Sequence, residues 1–510
     1  MTIAKQGRSG SLMPFDMSSI TRADDGVLRY DGRPQSLVHM LRNTVEANPD
    51  GEALVELGGP RLSYRQLWDE AARVAGGIVA AGVGRGDRVA IRLPNGIDWC
   101  LAFFGAQLAG AVAVPVNMRL SSAEADYVIN DSGASYIFAP GAAMPQAKPV
   151  VAEGLGPADL AAIFYTSGTT GIPKGAMTSH ENFLANTETC RRVMYLEHTQ
   201  PLRNLVSVPL FHVTGCNSQL LLTTELGGTT IIMPSFDVRT FIDTIGNENI
   251  NVLASVPAIY WLAMNQPGFE EINVSQVKWV SYGGAPTPPD VVARIGEAFP
   301  ASRLGNGFGL TETSSVTTFL PHEYCSTRPE TVGLAAPVVE LELDGVDSSS
   351  GVGELLIRGQ NVVSGYWNKP DATAESFRGG WLRSGDLARI DDEGFVQIVD
   401  RKKYMVNRGG ENVYCVEVEN ALARHPAVYE VAVLGVPDEM MGEKVGAVVV
   451  LRPQAEATAV ELARFARERI ADFKVPQFVA FRHEALPRNA GGKVLKPKLR
   501  EETRWGGPIR

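Results

Sequence analysis

The chain has 510 residues, 45% of them hydrophobic and 20% charged, with a formal net charge of −10. That length exceeds one ordinary core and predicts two or more domains, while the composition excludes a disordered chain. Five scattered cysteines (Cys100, Cys190, Cys216, Cys325 and Cys415) include no C-x-x-C pair, which argues against a disulfide framework or a structural zinc site and fits a reducing, cytoplasmic setting.

Residues 1–36 look like a polar leader with little periodic pattern, and the opening MTIAKQGRSGSLMPFDM offers no apolar stretch for a signal peptide. Leu67 to Ala81 has helical spacing, and the run from Asp87 to Leu93 reads as a strand ending at Pro94-Asn95-Gly96. Trp99 to Met118 carries no formal charge and must be weighed as a membrane span. Gly105, Gly110 and Pro115 break it, so a short helix to Leu108 and a buried strand over 110–116 are expected instead. The same alternation returns at 205–208, 229–233, 252–255 and 278–281, predicting an α/β fold with parallel-type sheets. Between 340 and 400, short strands with Gly and Asp turns predict a small β-rich subdomain. After Arg401 a helix over 416–424, strands over 428–436 and 444–451 and a helix over 459–470 predict a compact α+β piece. The expected division is a leader (1–36), a large N-terminal domain (37–400) and a small C-terminal domain (401–510).

From Arg401 onward 19 basic side chains face 14 acidic ones, a net of +5 against −15 for the first 400 residues. A modestly basic tail suits an anionic ligand, but no Lys/Arg run with interleaved aromatics points to nucleic acid. A peripheral membrane contact or a homodimer is compatible with the sequence, which decides neither.

The most informative segment is Tyr165-Thr-Ser-Gly-Thr-Thr-Gly-Ile-Pro-Lys-Gly175, after the apolar run Leu160 to Phe164. Three glycines and a proline cannot form a helix interior or a paired central strand. Glycines let backbone N–H groups turn inward as an anion nest, and hydroxyls and one lysine complete what a polyphosphate needs. It is not a P-loop, since Lys174 follows proline and precedes Gly175. Three further segments carry chemistry-bearing residues: Asn306-Gly-Phe-Gly-Leu-Thr-Glu312, Trp381-Leu-Arg-Ser-Gly-Asp386 and Leu486-Pro-Arg-Asn-Ala-Gly-Gly-Lys493. A carboxylate such as Glu312 beside phosphates would repel them unless a hard cation lay between.

At these residues the chain resembles the adenylate-forming superfamily of acyl-CoA synthetases, luciferases and nonribosomal adenylation domains, over roughly residues 40–505. The resemblance implies ATP and Mg²⁺ as cofactors and coenzyme A as co-substrate. It implies that Thr166, Ser167, Gly168, Thr169, Thr170, Gly171 and Lys174 hold the β- and γ-phosphates, and that Thr311 and Lys493 serve the α-phosphate. Glu312 is then the Mg²⁺ ligand, Phe308 stacks on adenine beside Asn306, Gly307 and Gly309, and Gly284, Ala285 and Pro286 cradle it. Asp386 and Arg401 are the ribose contacts, and His212, in Pro209-Leu-Phe-His-Val-Thr-Gly215, gates the acyl pocket. Lys403 occupies the hinge about which a mobile C-terminal domain swings, withdrawing Lys493 and bringing Gly409 and Gly410 to a pantetheine tunnel. The chain departs from the family where Tyr404 replaces the usual acidic residue and where Cys415 replaces a common proline.

The implied activity is ATP-dependent ligation of a carboxylic acid to CoA through an acyl-adenylate. Likeness to bacterial fatty-acyl-CoA synthetases favours fatty acids. An aryl acid ligase, a stand-alone enzyme loading a carrier protein and a luciferase-like oxygenase remain alternatives. A non-catalytic nucleotide-binding regulator would be expected to lose Lys493 or Glu312, and both are present.

Overall fold

A computed structural model describes residues 12–166, 173–197, 201–285, 287–409, 411–488 and 494–509. Among these residues the strands form five sheets. The first large sheet runs in the order Ala134–Phe138, Arg88–Ile91, Val112–Pro115, Leu160–Thr166, Lys174–Ser179, parallel except for the last pair. The second has six parallel strands at its centre, in the order Arg303–Phe308, Trp279–Gly283, Val252–Ser255, Arg203–Val206, Thr229–Ile232, Glu52–Glu56, with antiparallel strands on both edges. Residues 339–401 make an antiparallel sheet, and residues 406–482 a mixed one. The chain is therefore mixed α/β, as its helix–strand alternation predicts.

Helix Tyr64–Ala80 shows why the sequence folds as it does. Ser63 and Gln66 form a reciprocal capping box at its start, and Leu67, Ala71, Val74 and Ile78 recur at helical spacing on a buried face. Its partner, Ile97–Leu108, lies so close that a Cβ on Gly105 would sit 2.6 Å from Val74 Cγ1. The uncharged window from Trp99 is thus a core helix followed by the strand Val112–Pro115, with Trp99 fully buried and stacked on Phe103 at 5.4 Å. No helix among the described residues is long and apolar enough to cross a membrane.

The described part of the N-terminal segment is docked rather than trailing. Ile20–Arg22 pairs with Leu28–Tyr30, and the buried Tyr30 hydroxyl bonds Thr189 Oγ1 at 2.8 Å. Arg192 donates to the carbonyls of Asp16 (2.8 Å) and Ser18 (2.7 Å). Local periodicity could not reveal this docking, because Thr189 and Arg192 lie more than a hundred residues away.

The C-terminal sheet is buried on both faces. Val433 and Val449 face the helices Cys415–Ala423 and Ala459–Arg467, while Leu434 and Val448 face a second cluster with Leu486 and Leu499. Alternation along paired strands produces the two faces.

Candidate active site

The glycine- and hydroxyl-rich segment joins two paired strands. Tyr165 faces Gly175 and Thr166 faces Lys174, with Thr166 Oγ1 donating to the Lys174 carbonyl at 3.4 Å. A Cβ at Gly175 would come 2.5 Å from Ile163 Cγ2, so this pairing needs a glycine there. Ser167, Gly168, Thr169, Thr170 and Gly171 lie outside the described residues. The outer strand is clamped by a segment that drew no attention in the sequence: Met177 N–H donates to the Gly365 carbonyl at 3.0 Å and Trp367 N–H to the Gly175 carbonyl at 2.8 Å.

Glu312 sits on the single 3₁₀ turn Thr311–Thr313, after strand Arg303–Phe308, and is partly exposed, as are Thr311 and Phe308. The turn is held under strain. Ser314 and Ser315 have φ of 54° and 118°, in the region that favours glycine, and conformations of this kind cost about 1–3 kcal/mol each. Gly309 is forced by the same turn, because a Cβ there would overlap the Ser315 carbonyl at 1.3 Å. Four side-chain anchors support it. Asn217 Nδ2 donates to the Ser314 carbonyl at 2.7 Å, and Ser218 Oγ to Ser315 Oγ at 2.8 Å. Asn186 Oδ1 accepts from Val316 N–H at 2.8 Å, and Asn361 Nδ2 donates to the Thr313 and Val316 carbonyls at 3.0 Å.

Asn217 and Ser218 belong to a π-helix, Thr214–Leu221, which sequence spacing did not reveal. Wide turns of this type recur at functional sites. It begins two residues after His212, which is exposed, lies 4.6 Å from the Phe211 ring and donates its N–H to the Pro209 carbonyl at 3.1 Å. The histidine segment and the glutamate turn, about 100 residues apart in sequence, are therefore tied together.

The glycine segment expected to cradle adenine lies beside the second motif. Gly283 pairs with Gly307 across parallel strands, and a Cβ on Gly283 would meet the Gly307 carbonyl at 2.1 Å. Gly284 has φ of 74°, Ala285 is exposed, and Pro286 lies outside the described residues. Asn306 is buried and donates to the Thr331 carbonyl at 3.3 Å, so its amide is engaged structurally. Asp386 and Arg401 pair across antiparallel strands, Arg401 Nε lying 2.7 Å from Asp386 Oδ1.

Lys403 is exposed, its ammonium 4.4 Å from the Tyr404 ring centroid. Gly409 has φ of 61° and donates to the Met441 carbonyl at 2.7 Å; Gly410 and Lys493 lie outside the described residues. The flanks of the lysine segment do meet, Leu495 N–H donating to the Pro487 carbonyl at 2.7 Å. Burial pushes the Cys415 thiol up to about 12, and it donates to the Tyr404 carbonyl at 2.9 Å, so it serves as a packed hydrogen-bond donor and not as a nucleophile.

The residue that sequence reasoning missed is Tyr366. It is 8% exposed, its hydroxyl donates to Glu312 Oε1 at 2.8 Å, and its ring centroid lies 5.2 Å from Lys174 Nζ. Through it the structure brings together a cation from the hydroxyl-rich hairpin and a carboxylate from the second motif.

A carboxylate and a cation thus meet in an α/β fold whose glycine-lined parallel strand ends are a usual place for small-molecule sites. Residues 41–156 and 139–367 match the AMP-binding enzyme family, and residues 417–493 match the AMP-binding enzyme C-terminal domain. The chain belongs to this adenylate-forming family. It is 34% identical over 499 residues to a long-chain-fatty-acid–CoA ligase of Mycobacterium tuberculosis, covering 91% of this chain and 97% of the relative. It is 35% identical over 476 residues to a feruloyl-CoA synthase of Amycolatopsis, covering 88% and 95% respectively. The solved structure of o-succinylbenzoate coenzyme A synthetase from Bacillus subtilis, in complex with ATP and magnesium ion, superposes with a TM-score of 0.82 at 27% identity, covering 90% of this chain and 98% of that one.

Proposed function

We propose that this chain is an AMP-forming carboxylic acid:CoA ligase whose acids are fatty acids, working in two steps through an acyl-adenylate. The observation that carries the reading is the meeting of Lys174 and Glu312 around Tyr366, beside the hydroxyl-rich hairpin.

In the first step a carboxylate oxygen of the acid attacks the α-phosphorus of ATP, and the bond to the bridging oxygen of pyrophosphate breaks. Phosphoryl transfer is governed mainly by positioning and electrostatics, so the chain's task is to meet charge on the phosphoryl oxygens. Thr166, Ser167, Thr169, Thr170 and Lys174 hold the β- and γ-phosphates, and Thr311 and Lys493 hold the α-phosphate. Asp386 accepts the ribose hydroxyls with Arg401 steadying its carboxylate, and Phe308 with Gly284 and Ala285 brackets adenine.

Among the described residues no group of three or more His, Cys, Asp or Glu side chains converges to hold a metal alone. The lone carboxylate of Glu312 fits a hard cation that arrives with the nucleotide: Glu312 would hold it, and Mg²⁺ there would neutralise part of the polyphosphate charge. In the second step the thiol sulfur of coenzyme A attacks the acyl carbon, AMP leaves, and the thiol proton passes to solvent. The C-terminal domain, moving about Lys403, withdraws Lys493 and brings Gly409 and Gly410 to the pantetheine path.

An aryl acid is the second reading, favoured by the 35% identity to a feruloyl-CoA synthase. A cytoplasmic enzyme agrees with five buried free cysteines. The test is pyrophosphate release from ATP and Mg²⁺ over a panel of fatty and aryl acids, with and without CoA. Acid-dependent pyrophosphate with CoA-dependent thioester is the expected result, fatty acids leading. Pyrophosphate without thioester would move the acceptor to a carrier protein or oxygen, and a lead for aryl acids would replace the substrate class.

A further inference from the structure

Lys174 and Glu312 lie on either side of one tyrosine, yet they make no ion pair with each other among the described residues. Opposite charges on neighbouring segments ordinarily collapse together when no ligand separates them. A collapsed pair would have to be broken before the lysine could meet phosphate and the carboxylate a cation. Tyr366 supplies each with a separate partner: its ring face attracts the ammonium at 5.2 Å, and its hydroxyl donates to the carboxylate at 2.8 Å.

The tyrosine can do this because its own position is over-determined. Its backbone forms a bridge with Ala176 on the lysine strand, and its N–H donates to Thr373 Oγ1 at 2.9 Å. Gly365, just before it, has φ of +148°, and a Cβ there would come 2.5 Å from Thr373 Cγ2. The ring packs edge-to-face with Phe377 at 5.7 Å, and Glu312 is held from its own side by Val363 N–H donating to its carbonyl at 2.9 Å.

We infer that Tyr366 is a positioning residue that keeps Glu312 and Lys174 apart and pre-oriented for a metal-bound polyphosphate. This rests on the reading of the site as one for MgATP. The advantage is pre-organisation, since rotamer freedom of two long side chains is spent in folding and not at binding.

The experiment uses the full chain and a fluorescent ATP analogue, titrated with Mg²⁺ at fixed nucleotide and read as equilibrium binding without acid or CoA. Tyr366→Phe removes only the hydroxyl. It is expected to raise the half-saturating Mg²⁺ concentration about 10–100-fold, the weight of one hydrogen bond to a charged group, and to weaken metal-free nucleotide binding by clearly less. Its unfolding midpoint without ligand is expected within about 4 °C of the parent. Tyr366→Leu also removes the ring and is expected to weaken metal-free binding through Lys174. In a Glu312→Gln background, Tyr366→Phe is expected to have no further effect, the coupling that a cycle isolates. An unchanged Mg²⁺ requirement in Tyr366→Phe, equal losses with and without metal, or full additivity with Glu312→Gln would overturn the proposal. A parent chain that shows no Mg²⁺-dependent nucleotide binding would overturn the reading of the site itself, a separate outcome seen before any variant is made.

Discussion

His180, the buried first residue of helix His180–Val193, meets the start of helix Leu37–Ala47, and its Nδ1 accepts the Leu37 N–H at 3.3 Å. Burial lowers its pKa from 6.5 to about 4, with Asp159 pulling the other way and His39 and Arg85 adding to the drop. A protonated ring would turn that acceptor into a donor facing a donor. The folded chain therefore holds this imidazole neutral while the unfolded chain binds a proton below pH 6.5, so stability falls as pH drops from about 6.5 toward 4. Chemical denaturation at several pH values should show that slope, and His180→Asn should flatten it. An unchanged slope in the variant would place the acid sensitivity elsewhere.

Two elements carry strain or charge that single substitutions expose. The Glu312 turn tolerates its serines at positive φ only because Asn217, Ser218, Asn186 and Asn361 hold it. Gly309→Ala would drive a methyl group into the Ser315 carbonyl, displacing the carboxylate turn. Overpacking of this kind costs about 1–3 kcal/mol, and nucleotide binding should fall by more than stability does. Equal, small losses in both would show that the turn relaxes freely. On helix His180–Val193, Glu188 is nearly buried and meets Arg33 at 3.2 Å and Arg191 and Arg192 at 2.7 Å each. Glu188→Ala leaves these cations short of their shared counter-charge and should destabilise the fold by about 3–5 kcal/mol in urea titration. A loss below about 1 kcal/mol would put the pair with weak surface bridges. Because Arg192 also anchors the carbonyls of Asp16 and Ser18, the N-terminal segment should become protease-sensitive in the same variant.

At the scale of the whole molecule, the proposed two-step chemistry asks one lysine to be present and then absent. Lys493 lies outside the described residues, but the segments flanking it close on each other, and Lys496 is anchored by Glu419 at 2.6 Å on helix Cys415–Ala423. The C-terminal sheet, its helices and the base of the lysine segment thus form one packed unit. Lys493→Ala should cut adenylate formation by roughly 10²–10³, while thioester formation from supplied acyl-adenylate survives largely intact. Equal loss of both half-reactions would mean that the lysine does not leave the site between steps.

The sequence by itself determined the family and the order of the motifs. The proposed phosphate loop after Tyr165 is one contiguous run of glycines and hydroxyl residues, so its pattern is written in one stretch of chain. Helix and strand rhythm was legible for the same reason: Leu67 to Ala81 became Tyr64–Ala80, and 252–255 was found as predicted, since local periodicity sets which face is buried. Boundaries drifted where caps decide them, as Ser63 does. Tertiary structure alone decided the rest. Tyr366 stands 54 positions from Glu312 and far from Lys174 in sequence, in a segment without a motif that names its partners. The strained serines, the π-helix that braces them and the docking of residues 12–36 likewise depend on surfaces meeting across long separations. No local pattern records such contacts, because burial and pairing are chosen only when the two sheets and their connecting segments pack together.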